Sequence, residues 1–161
     1  MNSRIEMLEE KKLVGKRLNM SFANNRTMEL WQSFMPRLKE IANRKGKELY
    51  SAEVFPNLFF NNYNANADFE KWAAVEVSDL QDIPEGMESL VFPGGLYAVF
   101  IHKGTADKGP ETYRYIFMDW LPGSGFDLES RPHFAVMGEK YKRDDDASEE
   151  EIWIPVKHRS L

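Results

Sequence analysis

Few residues in this chain are arranged for bond-making chemistry. The three histidines, His102, His133 and His158, lack metal-ligand spacing to one another or to a carboxylate. There is no cysteine, which excludes disulfides, thiolate zinc sites and cysteine nucleophiles. No Gly-x-Ser-x-Gly elbow or phosphate-binding loop is present. Gly123-Ser124-Gly125 matches no catalytic pattern, and Pro93-Gly94-Gly95 reads as a bend before a strand. The acidic run Asp144 to Glu151 lacks the spacing of a calcium loop and reads as a solvated turn. No metal and no cofactor is expected.

What remains is aromatic. The chain has 4 Trp, 6 Tyr and 11 Phe in 161 residues, generous enough for some rings to line a site. Trp72, Tyr97 and Trp153 fall in the middle of predicted strands, and Phe59, Phe60 and Tyr63 fall on a loop. Core packing is the default for any one of them. Together they can form a cage for a flat or cationic apolar molecule, each ring contributing roughly 0.5–2 kcal/mol. A cation leaving water needs an anion beside it. Glu76 and Glu139 are the candidates by position.

The elements that must hold these residues come in two similar sets. Lys11 to Ser21 reads as a strand, with Gly15 marking a bulge. Asn24 to Thr27 can cap a helix that runs to about Lys45, with Pro36 bending or dividing it. Its apolar residues, from Leu30 and Trp31 to Ile41, fall on one face. Leu49 to Phe55 and Lys71 to Ser78 read as strands. Between them Asn57 to Asp68 is an Asn-rich loop, either a flap on the core or a lid over a cleft. The second half repeats the order. Leu96 to Lys103 is a strand, and a helix opens at Pro110 and carries Tyr113, Ile116, Phe117, Trp120 and Leu121. Arg131 to Lys142 reads as one long strand, and Ile152 to Val156 as the last. Aligning Trp72–Glu76 with Ala135–Glu139 puts Trp72 opposite Ala135. The fold expected is α+β in one domain spanning 1–161. Two pseudo-symmetric strand-helix-strand-strand repeats, about 11–78 and 87–157, form a curved antiparallel sheet. Two main helices pack on one face, and a central cleft lies between the halves.

Composition narrows the partners. The net charge is -5, which argues against binding nucleic acid through its phosphates. No apolar signal region opens the chain, and no apolar run approaches the ~20 residues of a membrane span. A soluble, cytoplasmic protein is expected.

Four motifs in the second half carry a resemblance: Pro93-Gly-Gly-Leu-Tyr-Ala-Val-Phe100, Trp120-Leu-Pro-Gly-Ser-Gly125, Arg131-Pro-His-Phe134 and Glu149-Glu-Glu-Ile-Trp-Ile-Pro-Val156. They resemble the gyrase-inhibitory (GyrI-like) small-molecule-binding domain, which also forms the effector-binding part of many AraC-type and MerR-type regulators. The resemblance implies a cleft for lipophilic, cationic aromatic compounds, lined by Trp72, Tyr97, Phe59, Ala135 and Met137. It also implies a stand-alone member, since only about ten residues precede the first strand. The family usually carries a Glu where Ala135 stands, at the cleft floor. The acid is missing here by natural loss or by replacement, and the close match of the flanking residues favours replacement. Hydrolytic members are thought to pair that Glu with a cleft tyrosine, for which Tyr97 is the nearest match. Without the acid a tyrosine lacks a general base, so hydrolysis of reactive lipophilic compounds is the alternative reading and not the leading one. A gyrase-interacting protein is a further alternative.

Overall fold

The structure, a computed structural model, describes residues 3–61, 64–105, 108–142 and 145–160. Tyr63 and Asp144, named above, lie outside these residues. The described strands are β1 (Ser3–Leu8), β2 (Lys11–Met20), β3 (Leu49–Val54), β4 (Phe69–Glu76), β5 (Glu88–Phe92), β6 (Gly95–Lys103), β7 (Phe126–Leu128), β8 (His133–Met137) and β9 (Glu149–His158). Eight of them form one antiparallel sheet in the order β1-β6-β9-β8-β3-β4-β2-β5, and β7 adds to β9. Helix α1 (Thr27–Phe34) follows β2 and α2 (Gly109–Arg114) follows β6. The expected α+β architecture is present, with two helices on a large curved antiparallel sheet.

The strand order forces the curvature. β1 and β5 lie at opposite ends of the sheet, yet only Glu9-Glu10 joins β1 to β2, the neighbour of β5. Pro93-Gly94 likewise joins β5 to β6, the neighbour of β1. Two such short links can exist only if the sheet curls until its edges meet. Packing agrees, because the ring of Phe92 on edge strand β5 stacks on Phe134 of central strand β8 at 4.4 Å. The inside of the curl is an aromatic core of Tyr50, Trp72, Phe92, Tyr97, Phe134 and Trp153, with Leu8, Leu13 and Val99. Where the links meet, a side chain at Gly94 would come within 3.0 Å of the Leu8 carbonyl. At Gly95 a Cβ would fall on the guanidinium of Arg131. That guanidinium donates to the carbonyls of Leu96 (2.7 Å) and Val156 (3.1 Å) and lies 4.9 Å over the Tyr97 ring. The Gly-Gly-Leu-Tyr, Arg-Pro-His-Phe and Trp-Ile-Pro-Val motifs are therefore three sides of one structural knot.

The duplication is visible in the sheet order, which reads β6-β9-β8 and then β3-β4-β2 from opposite ends. It corrects the alignment drawn from sequence. β4 corresponds to β9, so Trp72 matches Trp153 and not Ala135. In each case the indole N–H donates to a glutamate two residues earlier, Glu70 at 2.7 Å and Glu151 at 3.1 Å. Register then equates β3 with β8. Ala52 faces Trp72 in one half and Phe134 faces Trp153 in the other. The next residue along each strand is Glu53 in the first half and Ala135 in the second.

The helices sit outside the curl. Leu30 and Phe34 of α1 pack on Val14, Ala73 and Val75. α1 stops at Phe34, and a 3₁₀ turn, Met35–Glu40, carries Pro36 near its start, so the proline divides the predicted helix. α2 runs without a break into a π-helical turn, Tyr115–Trp120, whose Ile116 packs on Ala98, Phe100, Ile152 and Ile154. Two further expectations change. Gly15 is no bulge, because its pairing with Ala74 and Glu88 is continuous. It is glycine because a Cβ would fall on the Ala73 carbonyl of β4. The long strand predicted over 131–142 is only His133–Met137. Arg131 is drawn into the knot before it, and after it the Tyr141 amide donates to the Gly138 carbonyl to close a turn.

Candidate functional site

Strand alternation sorts the predicted site residues onto two faces. Trp72 and Tyr97 point into the curl and are buried in its aromatic core. Ala135 and Met137 point the other way, into the groove between the two helices. Ala135 stands beside Ser51 on one side and Ile152 on the other, and Ile152 packs against the second helix. The structure thus brings Ala135 and Met137 together and sets Trp72 and Tyr97 apart from them. Phe59 lies at one end of the groove, packed on Phe55 at 4.8 Å and Phe22 at 5.9 Å. Of the two acids proposed from position, Glu76 pairs with Lys11 at 3.3 Å at the far end of β4, and Glu139 is an exposed turn residue.

The groove floor is two cross-strand rows. One is small: Ala73, Ser51, Ala135 and then Ile152. The next is polar: Lys71, Glu53 and His133. Lys71 Nζ lies 3.1 Å from Glu53 Oε1, and both side chains are nearly buried, at 13% and 12% exposure. Glu53 Oε2 is buried with no hydrogen-bond partner among the described residues. Burial pushes the Glu53 carboxyl above the ordinary range, and Lys71 opposes that shift. Glu150, two residues before the apolar part of β9, is also pushed up by burial, with His102 and Lys71 opposing and Glu53 adding. Tyr113 of α2 feels the same two carboxylates, and burial above all holds its hydroxyl well above the phenolic range. Tyr97 donates its hydroxyl to the Pro132 carbonyl at 2.8 Å inside the core, and burial pushes it up to about 12.

Rings roof one end of the floor. Phe60 stacks on Phe117 of the π-helical turn (5.3 Å, 19°) and on His133 (5.5 Å, 25°). Phe55 meets the edge of His133 at 4.9 Å. The loop from the first half thus closes onto the helix of the second. Phe60 is still 40% exposed, and Leu58 beside it is 73% exposed with a positive φ of 63°. Open hollows of about 440 Å³ beside Met35 and Arg44 and about 280 Å³ beside Phe55 and Glu70 lie elsewhere on the surface. Neither is lined by Glu53, Ala135 or Met137.

Glu53 and Lys71 were missed from sequence, although a signal existed. Leu49, Ser51 and Glu53 alternate with Tyr50, Ala52 and Val54, so both faces of β3 read as half-buried. A charge on such a strand needs a partner, and Lys71 is the residue that register supplies.

The GyrI-like small-molecule-binding-domain model matches residues 1–157. The chain belongs to this family. It is 29% identical over 129 residues to the transcriptional regulator BrlR of Pseudomonas aeruginosa, a match covering 80% of this chain and 45% of that protein. The chain therefore spans under half the length of that regulator. Among solved structures, SAV2435 bound to tetraphenylphosphonium superposes with a TM-score of 0.71 at 18% identity, over 98% of this chain and 94% of that one. The EcmrR C-terminal domain gives 0.70 at 18% identity, over 98% of both chains. These structural likenesses show the shared fold. Among the described residues no helix is long and apolar enough to cross a membrane.

Proposed function

We propose that this domain binds lipophilic aromatic small molecules, cations included, in the groove between its helices. The observation that carries the reading is a buried carboxylate, Glu53, with one oxygen unpartnered, beneath a roof of aromatic rings. Rings supply stacking and cation–π attraction, and the acid supplies the charge that a cation leaving water requires. Ser51 and Ala135 are the small residues of the floor between the helices, and Met137 beside them is an adaptable wall. Tetraphenylphosphonium in the structurally similar SAV2435 supports the ligand class.

Ligand entry requires the Phe59–Phe60 loop to lift from Phe117 and His133, which makes it a lid. Methyl and indole NMR test the reading. On titration with tetraphenylphosphonium, the Ala135 and Met137 methyl signals shift, while the Trp72 and Trp153 indole N–H signals inside the curl stay in place. Shifts confined to the indoles, or to residues outside the groove, would overturn it.

A further inference from the structure

We infer that Lys71 is a tethered counter-ion that occupies the cation position of the groove, so that a cationic ligand binds by displacing it from Glu53. The inference rests on the binding reading above and deepens it. Lys71 is no surface lysine that happens to reach an acid. Its side chain is 13% exposed, it stands directly across from Glu53 in register, and its ammonium lies 3.1 Å from Oε1. The second oxygen of Glu53 is buried and unpartnered, so the carboxylate is half satisfied. The pair leaves Glu53 already neutralised.

The internal duplication shows why this matters. The position equivalent to Glu53 in the second half is Ala135, and its neighbour on β9 is Ile152. An acid on that strand would have an isoleucine beside it, whereas the acid on β3 has an ammonium. A tethered group competes at an effective concentration on the order of millimolar or more. A soluble cation must outcompete it and leave Lys71 solvated. Neutral aromatic ligands meet no such competition. The domain therefore discriminates weakly between cationic and neutral aryl compounds, and the strength of the Lys71–Glu53 pair sets the degree.

Calorimetry with tetraphenylphosphonium and neutral triphenylphosphine oxide tests this at pH 8. The wild-type chain should bind the two within a few-fold of each other. Lys71→Met should bind the cation at least 10-fold tighter with little change for the neutral probe. Lys71→Met combined with Glu53→Gln should lose that gain. Unchanged or weaker cation binding by Lys71→Met, with neutral binding intact, overturns the inference and leaves the binding reading standing. No binding of either probe by any folded variant overturns the binding reading itself. A measurement on the unaltered chain covers the case in which Lys71→Met does not fold. Reductive methylation read by mass spectrometry should find Lys71 protected in the free protein. Saturating cation should raise its labelling several-fold, and the neutral probe should not. Equal protection with both probes bound overturns the displacement.

Discussion

His133 makes the stability of this domain sensitive to mild acid. It is 5% exposed, faces Phe55, Phe60 and Phe117, and burial pushes it down to about 3. Its cross-strand neighbour Glu53 is turned to Lys71. In the unfolded chain the ring titrates near 6.5, so below that pH the unfolded state takes up a proton that the folded state refuses. Stability is therefore lost as pH falls from about 6.5 towards about 3. Between pH 7 and pH 5 the loss amounts to about 2 kcal/mol, at 1.36 kcal/mol per unit. Glu53 and Glu150 act in the opposite sense. Their raised carboxyls make burial less costly as they protonate, so the test must be differential. His133→Phe keeps a flat ring among the same neighbours. Urea denaturation at pH 7, 6 and 5 should show the original chain losing about 2 kcal/mol more than the variant between pH 7 and 5. Parallel curves would refute the assignment of a neutral, desolvated imidazole.

Ala135→Glu places a carboxylate beside Ile152, with no lysine across from it, and should tighten tetraphenylphosphonium binding by about 1–2 kcal/mol. Tightening of an anionic dye instead would argue against charge as the cause. Phe134→Ala empties the centre of the inner core, where Phe134 touches Phe92, Tyr97 and Trp153. It should cost about 3–5 kcal/mol in urea denaturation, and a loss below about 1 kcal/mol would mean the curl collapses to fill the space. Gly95→Ala drives a methyl into the Arg131 guanidinium and should lower Tm much as Arg131→Ala does. A wild-type melting curve for Gly95→Ala would show that the knot is not rigid.

The two halves, the curved sheet and the division of the first helix at Pro36 were legible because they are local: periodicity, turn chemistry and one proline. The face on which each residue stands was not. Ala135 was placed with Trp72 and Tyr97 by motif and by an alignment of β4 with β8, and a two-fold match cannot be chosen from five residues of weak identity. Register decides it, and register is set by which strands hydrogen-bond, here β4 with β3 and β2. The absence of an acid at 135 was visible, but its counterpart at 53 was not. The two positions are related only by that register. β7 escaped notice because Phe126-Asp127-Leu128 is too short to show alternation. Within the motifs behind the family resemblance, Arg131, Gly94, Gly95 and Tyr97 close the sheet, while His133 and Ile152 contribute to the groove floor.

The crossed links also govern the order in which the chain can fold. Among the described residues β1 pairs only with β6, in the opposite half, and β5 pairs with β2 in the same exchanged fashion. During synthesis Ser3–Leu8 emerges well before its hydrogen-bonding partner and must wait until Gly95–Phe100 has followed. β2 likewise stays open on one side until Glu88–Phe92 arrives. Pairings of such long sequence separation must overcome loop-closure entropy before they stabilise anything, so they form late. The first half is therefore not an independent folding unit, despite having the elements of one. Sealing of the sheet becomes a single late event in which each half completes the other.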